Sequence, residues 1–109
     1  MIGMPKIFLA TILMTLRIPS AGSLKDRRHV VKSLVDLLRK RLNVSVTDLG
    51  PDNTWDLAYI AVASVTSSAK EAEAMLDAVE RHVLLAEAKN GFEVISFDRE
   101  VECYGQVES

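Results

Sequence analysis

From Phe8 to Ile18 every second residue is apolar: Phe8, Ala10, Ile12, Met14, Leu16 and Ile18. The residues between them, Ile7, Leu9, Thr11, Leu13, Thr15 and Arg17, are mixed. A period of two with one wholly apolar set is the pattern of a β-strand whose one face is covered and whose other face is partly open. The strand is read as Lys6 to Ile18, and Pro19 to Gly22 breaks it, because proline lacks the ladder donor and glycine accepts turn geometry. The run is about half the length of a membrane span. A single Lys6 before it and Arg17 near its end argue against a cleaved leader.

The rest of the chain must supply partners for that strand. Ser23 followed by Asp26 reads as a helix start, with the hydroxyl accepting from an orphan N–H and the carboxylate reaching back. Helix one then runs to about Leu42, with Val30, Val31, Leu34, Val35, Leu37, Leu38 and Leu42 on one broad face and Asn43 as a left-handed cap. Val44 to Asp48 alternates as strand two, and Gly50-Pro51-Asp52-Asn53 is a turn. Strand three is read as Trp55 to Val65. Ser68 with Glu71 caps helix two, which continues to Lys89 with the stripe Ala72, Met75, Leu76, Val79, Val83 and Ala86. After Asn90-Gly91, Phe92 to Tyr104 reads as strand four.

The order β-α-β-β-α-β in a single domain over residues 1–109 predicts an α+β, ferredoxin-like sandwich. Two helices cover one face of a four-stranded antiparallel sheet, with strands one and three central. The far face carries Leu13 and its neighbours uncovered, and a second copy of the chain is the expected cover, giving a homodimer. Cys103 is the only cysteine. It forms no intrachain disulfide, is read as a small buried hydrophobe, and fits a reducing, cytoplasmic compartment.

Charge is strongly segregated. Between Lys25 and Arg41 lie seven of the thirteen basic residues against Asp26 and Asp36 alone, a local +5 in a chain of formal charge −2. At ~100° per residue, Lys25, Arg28, Lys32 and Arg39 fall in a sector roughly 60° wide that borders the apolar face. Such a stripe is a rail about 20 Å long on which each side chain can address a separate phosphate. About four neutralised phosphates predict a log–log salt slope of about −3. Arg17 and Lys40 are outlying contributors. Arg27 and Arg41 project near the apolar sector and are assigned a structural role, snorkelling or pairing with carboxylates of neighbouring strands. Trp55 is read as a plug at the edge of the core, with partner binding, shared with Leu13, or base stacking as its other role.

Catalytic signals are sparse. His29 and His82 lie in different helices without ligands at metal spacing, and no Gly-rich phosphate loop or nucleophile elbow is present. No metal, cofactor or small-molecule substrate is expected, and a cryptic enzyme would have to gather His29, His82 or Cys103 with carboxylates. Base stacking on the sheet is disfavoured because Phe8 falls on the core side and Tyr59 stands alone on strand three.

The segments Leu16-Arg17-Ile18-Pro19, Ser23-Leu24-Lys25-Asp26-Arg27-Arg28, Val30-Val31-Lys32-Ser33-Leu34 and Asn43-Val44-Ser45-Val46, with Trp55, resemble the YlxP-like family of small bacterial proteins of unknown function. The resemblance is most specific through helix one. It implies a ferredoxin-like fold in a bacterial cytoplasmic protein, and genes that often sit among those for translation and ribosome maturation imply a ribosome or RNA connection. This chain departs from the pattern with Asp56-Leu57 after the tryptophan, where Gln-Arg is frequent, and with Leu13 and Thr15 where strand one commonly carries Glu. The second departure makes the open sheet face more apolar. The expected function is a non-enzymatic RNA- or ribosome-associated factor. The alternative is a homodimeric module docking an acidic protein partner, with no nucleic-acid role.

Overall fold

The computed structural model describes residues 5–105. Its elements are β1 (Ile7–Arg17), α1 (Leu24–Arg41), β2 (Ser45–Asp48), β3 (Leu57–Thr66), α2 (Ala69–Glu87) and β4 (Glu93–Tyr104). The strands form one sheet in the order β2-β3-β1-β4, every neighbouring pair antiparallel. That is the ferredoxin-like arrangement, in which each crossover helix spans an intervening strand. No helix among the described residues is long and apolar enough to cross a membrane.

The period-two reading of β1 sets the layers. Ala10, Ile12, Met14, Leu16 and Ile18 are buried beneath the helices together with Leu34, Leu38, Ile60, Leu76, Val79 and Val83. Both helix starts form as their sequence requires. Ser23 Oγ accepts from the Asp26 N–H at 3.2 Å, and Ser68 Oγ from the Glu71 N–H at 3.1 Å. Asp26 reaches one residue further back than the cap itself, accepting from the Gly22 N–H at 3.0 Å. The two serine bonds each satisfy a backbone donor that the first helical turn leaves orphaned, and the Asp26 bond fixes the chain just before the cap.

Four expectations need correction. Asn43 is not a left-handed cap: α1 closes at Leu42 in an extended conformation, and among the described residues only glycines have positive φ. The Leu42 N–H still reaches Leu38 O at 2.9 Å, so the helix needs no left-handed residue to finish. Trp55 does not open strand three and does not plug the core; it lies 47% exposed in the loop before β3. The β1 ladder ends at Arg17↔Leu57, and after the Ile18 N–H bonds Asp56 O at 2.8 Å, Pro19 offers no further donor. Cys103 is exposed, near the end of edge strand β4 opposite Phe8. Arg41 is exposed and makes no ion pair among the described residues. The only carboxylate of β2, Asp48, lies at the far end of that strand, beside Arg27.

β4 is tied to α2 at its start, where the Val94 N–H donates to Glu87 Oε2 at 2.6 Å, and further along by Arg99. Arg99 bonds Glu73, Asp77 and Glu80 at 2.8, 3.0 and 2.9 Å. Its replacement by alanine would leave three carboxylates on one helix face without their shared cation. A loss of about 1 kcal/mol is expected in a urea melt, narrowing in 1 M salt as the repulsion is screened.

Candidate functional site

Helix α1 lies on the β2 side of the sheet and α2 on the β4 side, so the segregation of charge along the sequence becomes a segregation in space. α1 carries seven basic residues against two acidic ones. α2 and β4 together carry Lys70, Arg81 and Arg99 against nine carboxylates. One edge of the molecule is therefore basic and the opposite edge acidic.

What locks α1 to the sheet is Arg27, which is 4% exposed. Its Nη1 and Nη2 donate to the two Asp48 carboxylate oxygens at 2.9 and 3.0 Å, and its Nε donates to Leu57 O at 2.9 Å. Asp48 Oδ1 also accepts from the Gly50 N–H at 2.8 Å. The Arg27 guanidinium thus holds the Asp48 carboxyl below its ordinary pKa, the Gly50 bond adding to the effect against the opposing cost of burial. The assignment of Arg27 to a structural ion pair holds, and the planar fork matches a carboxylate in a way lysine could not.

The basic stripe is present but does not form one free rail. Arg28, Lys32 and Arg39 line a groove of about 500 Å³ between α1 and β2, together with Val31, Val35 and Asp36. Lys25 instead borders a depression at the start of the helix with Ile18, Ser20 and His29. Two of the four cations already have partners. Lys32 Nζ donates to Asp36 at 2.6 Å, and Arg39 Nη2 donates to Val46 O at 2.7 Å. The Lys32–Asp36 pair is largely exposed. Such a pair is worth only a few tenths of a kcal/mol and exchanges readily for another anion. Arg39 is held with its guanidinium at the free edge of β2, four donors remaining. Lys40 is exposed beside it.

Topology adds something the spacing along the helix could not show. β1 ends, α1 begins and β3 begins at the same end of the sheet. Arg17, Lys25, Arg28 and the exposed Trp55 therefore share one end of the molecule, while Arg39 and Lys40 lie at the other end of α1. Trp55 precedes by two residues the β3 position that registers with Arg17. The only sequence signal for this grouping was the antiparallel order itself. On the open sheet face Leu13 is exposed, flanked by Thr11, Ala61 and Ala63, with Tyr59 also exposed and Phe8 turned to the helix side.

His29 is at the start of α1, where it borders the same depression as Lys25 and Asp26, and Cys103 is at the opposite end of the sheet. Among the described residues no group of three or more His, Cys, Asp or Glu side chains could hold a metal ion.

Residues 9–99 match the family described as Protein of unknown function (DUF503). The chain is 36% identical over 59 residues to the Uncharacterized protein YlxP of Bacillus subtilis (strain 168), an alignment spanning 54% of this chain and 64% of that one. Among solved structures it resembles a hydantoinase/carbamoylase family amidase from Burkholderia ambifaria, with TM-score 0.55 and 10% identity. That match covers 91% of this chain and 28% of the amidase, and it is a likeness of fold alone. A C-terminal segment of the alpha subunit of aIF2 from Pyrococcus abyssi aligns at TM-score 0.49 and 14% identity, over 88% of this chain and 51% of that one.

Proposed function

We propose that this chain, which belongs to the DUF503 family of proteins of unknown function, is a non-enzymatic RNA- or ribosome-associated factor that holds phosphates along α1. The observation that carries this reading is the spatial separation of charge, seven basic residues on α1 against the acidic α2 and β4 edge. A polyanion attracts one edge of such a molecule and repels the other, so it orients the protein before contact. Lys25 and Arg28 at one end, and Lys32 and Arg39 in the groove, would then meet successive phosphates. Lys32 would exchange Asp36 for phosphate. Arg17 and Lys40 extend the positive surface at either end of α1.

Trp55 gives the reading a second element. An exposed indole at the same end as Arg17, Lys25 and Arg28 is a platform on which an unpaired base can stack, worth about 1–3 kcal/mol. Phosphate contacts alone carry no sequence information, so recognition would rest on charge, shape and that one stack. A ribosomal partner would place the action in the bacterial cytoplasm.

Co-sedimentation with ribosomal subunits and with protein-free rRNA tests the reading. Association should occur at low salt, weaken as salt rises, and be reduced by Trp55→Ala without loss of fold. No association with either at low salt would overturn it, leaving the basic edge as a surface for an acidic protein.

A further inference from the structure

The open face of the sheet has a shape that complements the same face of another copy, and one two-fold orientation keeps the carboxylates of β4 away from each other. The registers place its residues in rows running across the four strands. Thr47, Ala61, Leu13 and Asp98 form one row, and Ser45, Ala63, Thr11 and Glu100 the next. Leu9 and Val65 share a further row, as do Thr15 and Tyr59. Each pair on the central strands sets a larger side chain beside a smaller one. Thr11, Leu13, Ala61, Ala63, Asp98 and Glu100 line an open depression of about 500 Å³ there.

A two-fold axis parallel to the strands, between β1 and β3, keeps every residue in its own row and exchanges the two sides of the sheet. Leu13 of one copy then lies over Ala61 of the other, and Thr15 lies over Tyr59. Asp98 meets the hydroxyl of Thr47, and Glu100 that of Ser45. A perpendicular axis instead sets each strand on itself, so that the carboxylates of β4 face one another, which costs charge. Three long strands and a short edge strand present on the order of 600 Å² before side-chain relief, at ~4.8 Å per strand and ~3.4 Å per residue. With side chains this approaches the roughly 800 Å² per partner of a standard stable interface.

We infer that the open sheet face binds a second copy of this chain about a dyad parallel to the strands, seating Leu13 of each protomer on Ala61 of its partner. The dimer is a two-sheet sandwich with strands aligned within about 30° and the helix layers outside. Leu13 is its central anchor, so both basic edges remain accessible.

Two measurements on the full chain test the inference. In sedimentation velocity the wild type should be a dimer at micromolar concentration, and Leu13→Asp should raise the dissociation constant about thirtyfold or more. Ala61→Glu, also on the exposed face, should do the same and replaces the first variant if that one does not fold. In a Cys103→Ser background, a short bismaleimide should join Thr47→Cys chains to Asp98→Cys chains in an equimolar mixture, because the dyad opposes these edge-strand positions. Neither variant alone should cross-link comparably, since each position lies three strand spacings to the side of its own mate. A monomeric wild type, a dimer indifferent to both substitutions, or efficient cross-linking of Asp98→Cys chains to one another would each overturn it.

Discussion

Asp48→Ala should destabilise the protein by about 3 kcal/mol, the low end of the cost of breaking a buried ion pair. The low end applies because Asp48 keeps 34% of its side chain in contact with solvent, whereas the Arg27 side chain keeps 5%. The same asymmetry makes the two partners unequal. Removing Asp48 leaves a buried guanidinium without its anion. In Arg27→Met an apolar chain fills the space and Asp48 can hydrate, so a loss of about 1–2 kcal/mol is expected, much of it from the unanswered Leu57 carbonyl. In a chain of this size 3 kcal/mol lowers the melting temperature by about 15 °C. The pH dependence has a definite sign. Because Arg27 holds the Asp48 carboxyl below its ordinary value, the contribution is complete above the unfolded pKa of about 4 and is lost as pH falls through the lower folded pKa. Urea melts of wild type and Asp48→Ala should therefore differ most at pH 7 and converge towards pH 2. A gap that persists undiminished in acid would show that the carboxylate's charge is not what stabilises the pair.

The double variant Lys25→Glu/Arg28→Glu should weaken RNA binding by on the order of a hundredfold at low salt. Each charge-assisted contact to phosphate is worth about 1.5 kcal/mol, which is about tenfold in affinity. Both side chains are exposed and make no ion pair among the described residues, so stability should change little and the effect reads binding directly. Lys32 is a weaker choice of target, because its reversal also disrupts the Asp36 pair. Arg39→Glu would lose the bond to Val46 and disturb β2. Fluorescence anisotropy with a short single-stranded RNA measures the loss. The matched control is Lys70→Glu/Arg81→Glu, the same change of charge at exposed positions of α2, which should leave affinity within a few fold of wild type.

Where the sequence was legible, its information was local and periodic. Alternation through β1 fixed which face is buried, and the Ser23 and Ser68 caps fixed both helix starts to the residue. The stripe Ala72 to Ala86 did the same for α2, save Met75, which stays half-exposed. Illegible features depend on which strand lies beside which. Trp55 is in a loop because the partner strand stops at Arg17, and nothing in the residues around the tryptophan records that. Likewise, Arg39 looked like a free phosphate ligand on a helical wheel, but β2 packs close enough for its Val46 carbonyl to take one guanidinium N–H. The pairing of Arg27 with a strand carboxylate was inferable from its position on the wheel. That Asp48 would be the partner, and Leu57 the third contact, required the sheet order.

The central claim is that α1 meets RNA through phosphate contacts, and the salt dependence of binding tests it most directly. Anisotropy titrations of the wild-type protein with single-stranded RNA from 50 to 200 mM salt should give a log–log slope of about −3. That corresponds to a loss of affinity of about fiftyfold over the range, as four released counterions require. The Lys25→Glu/Arg28→Glu variant should retain about half that slope. A wild-type slope near zero, or one unchanged by the double reversal, would contradict the account and mean that α1 is not the surface on which RNA is held.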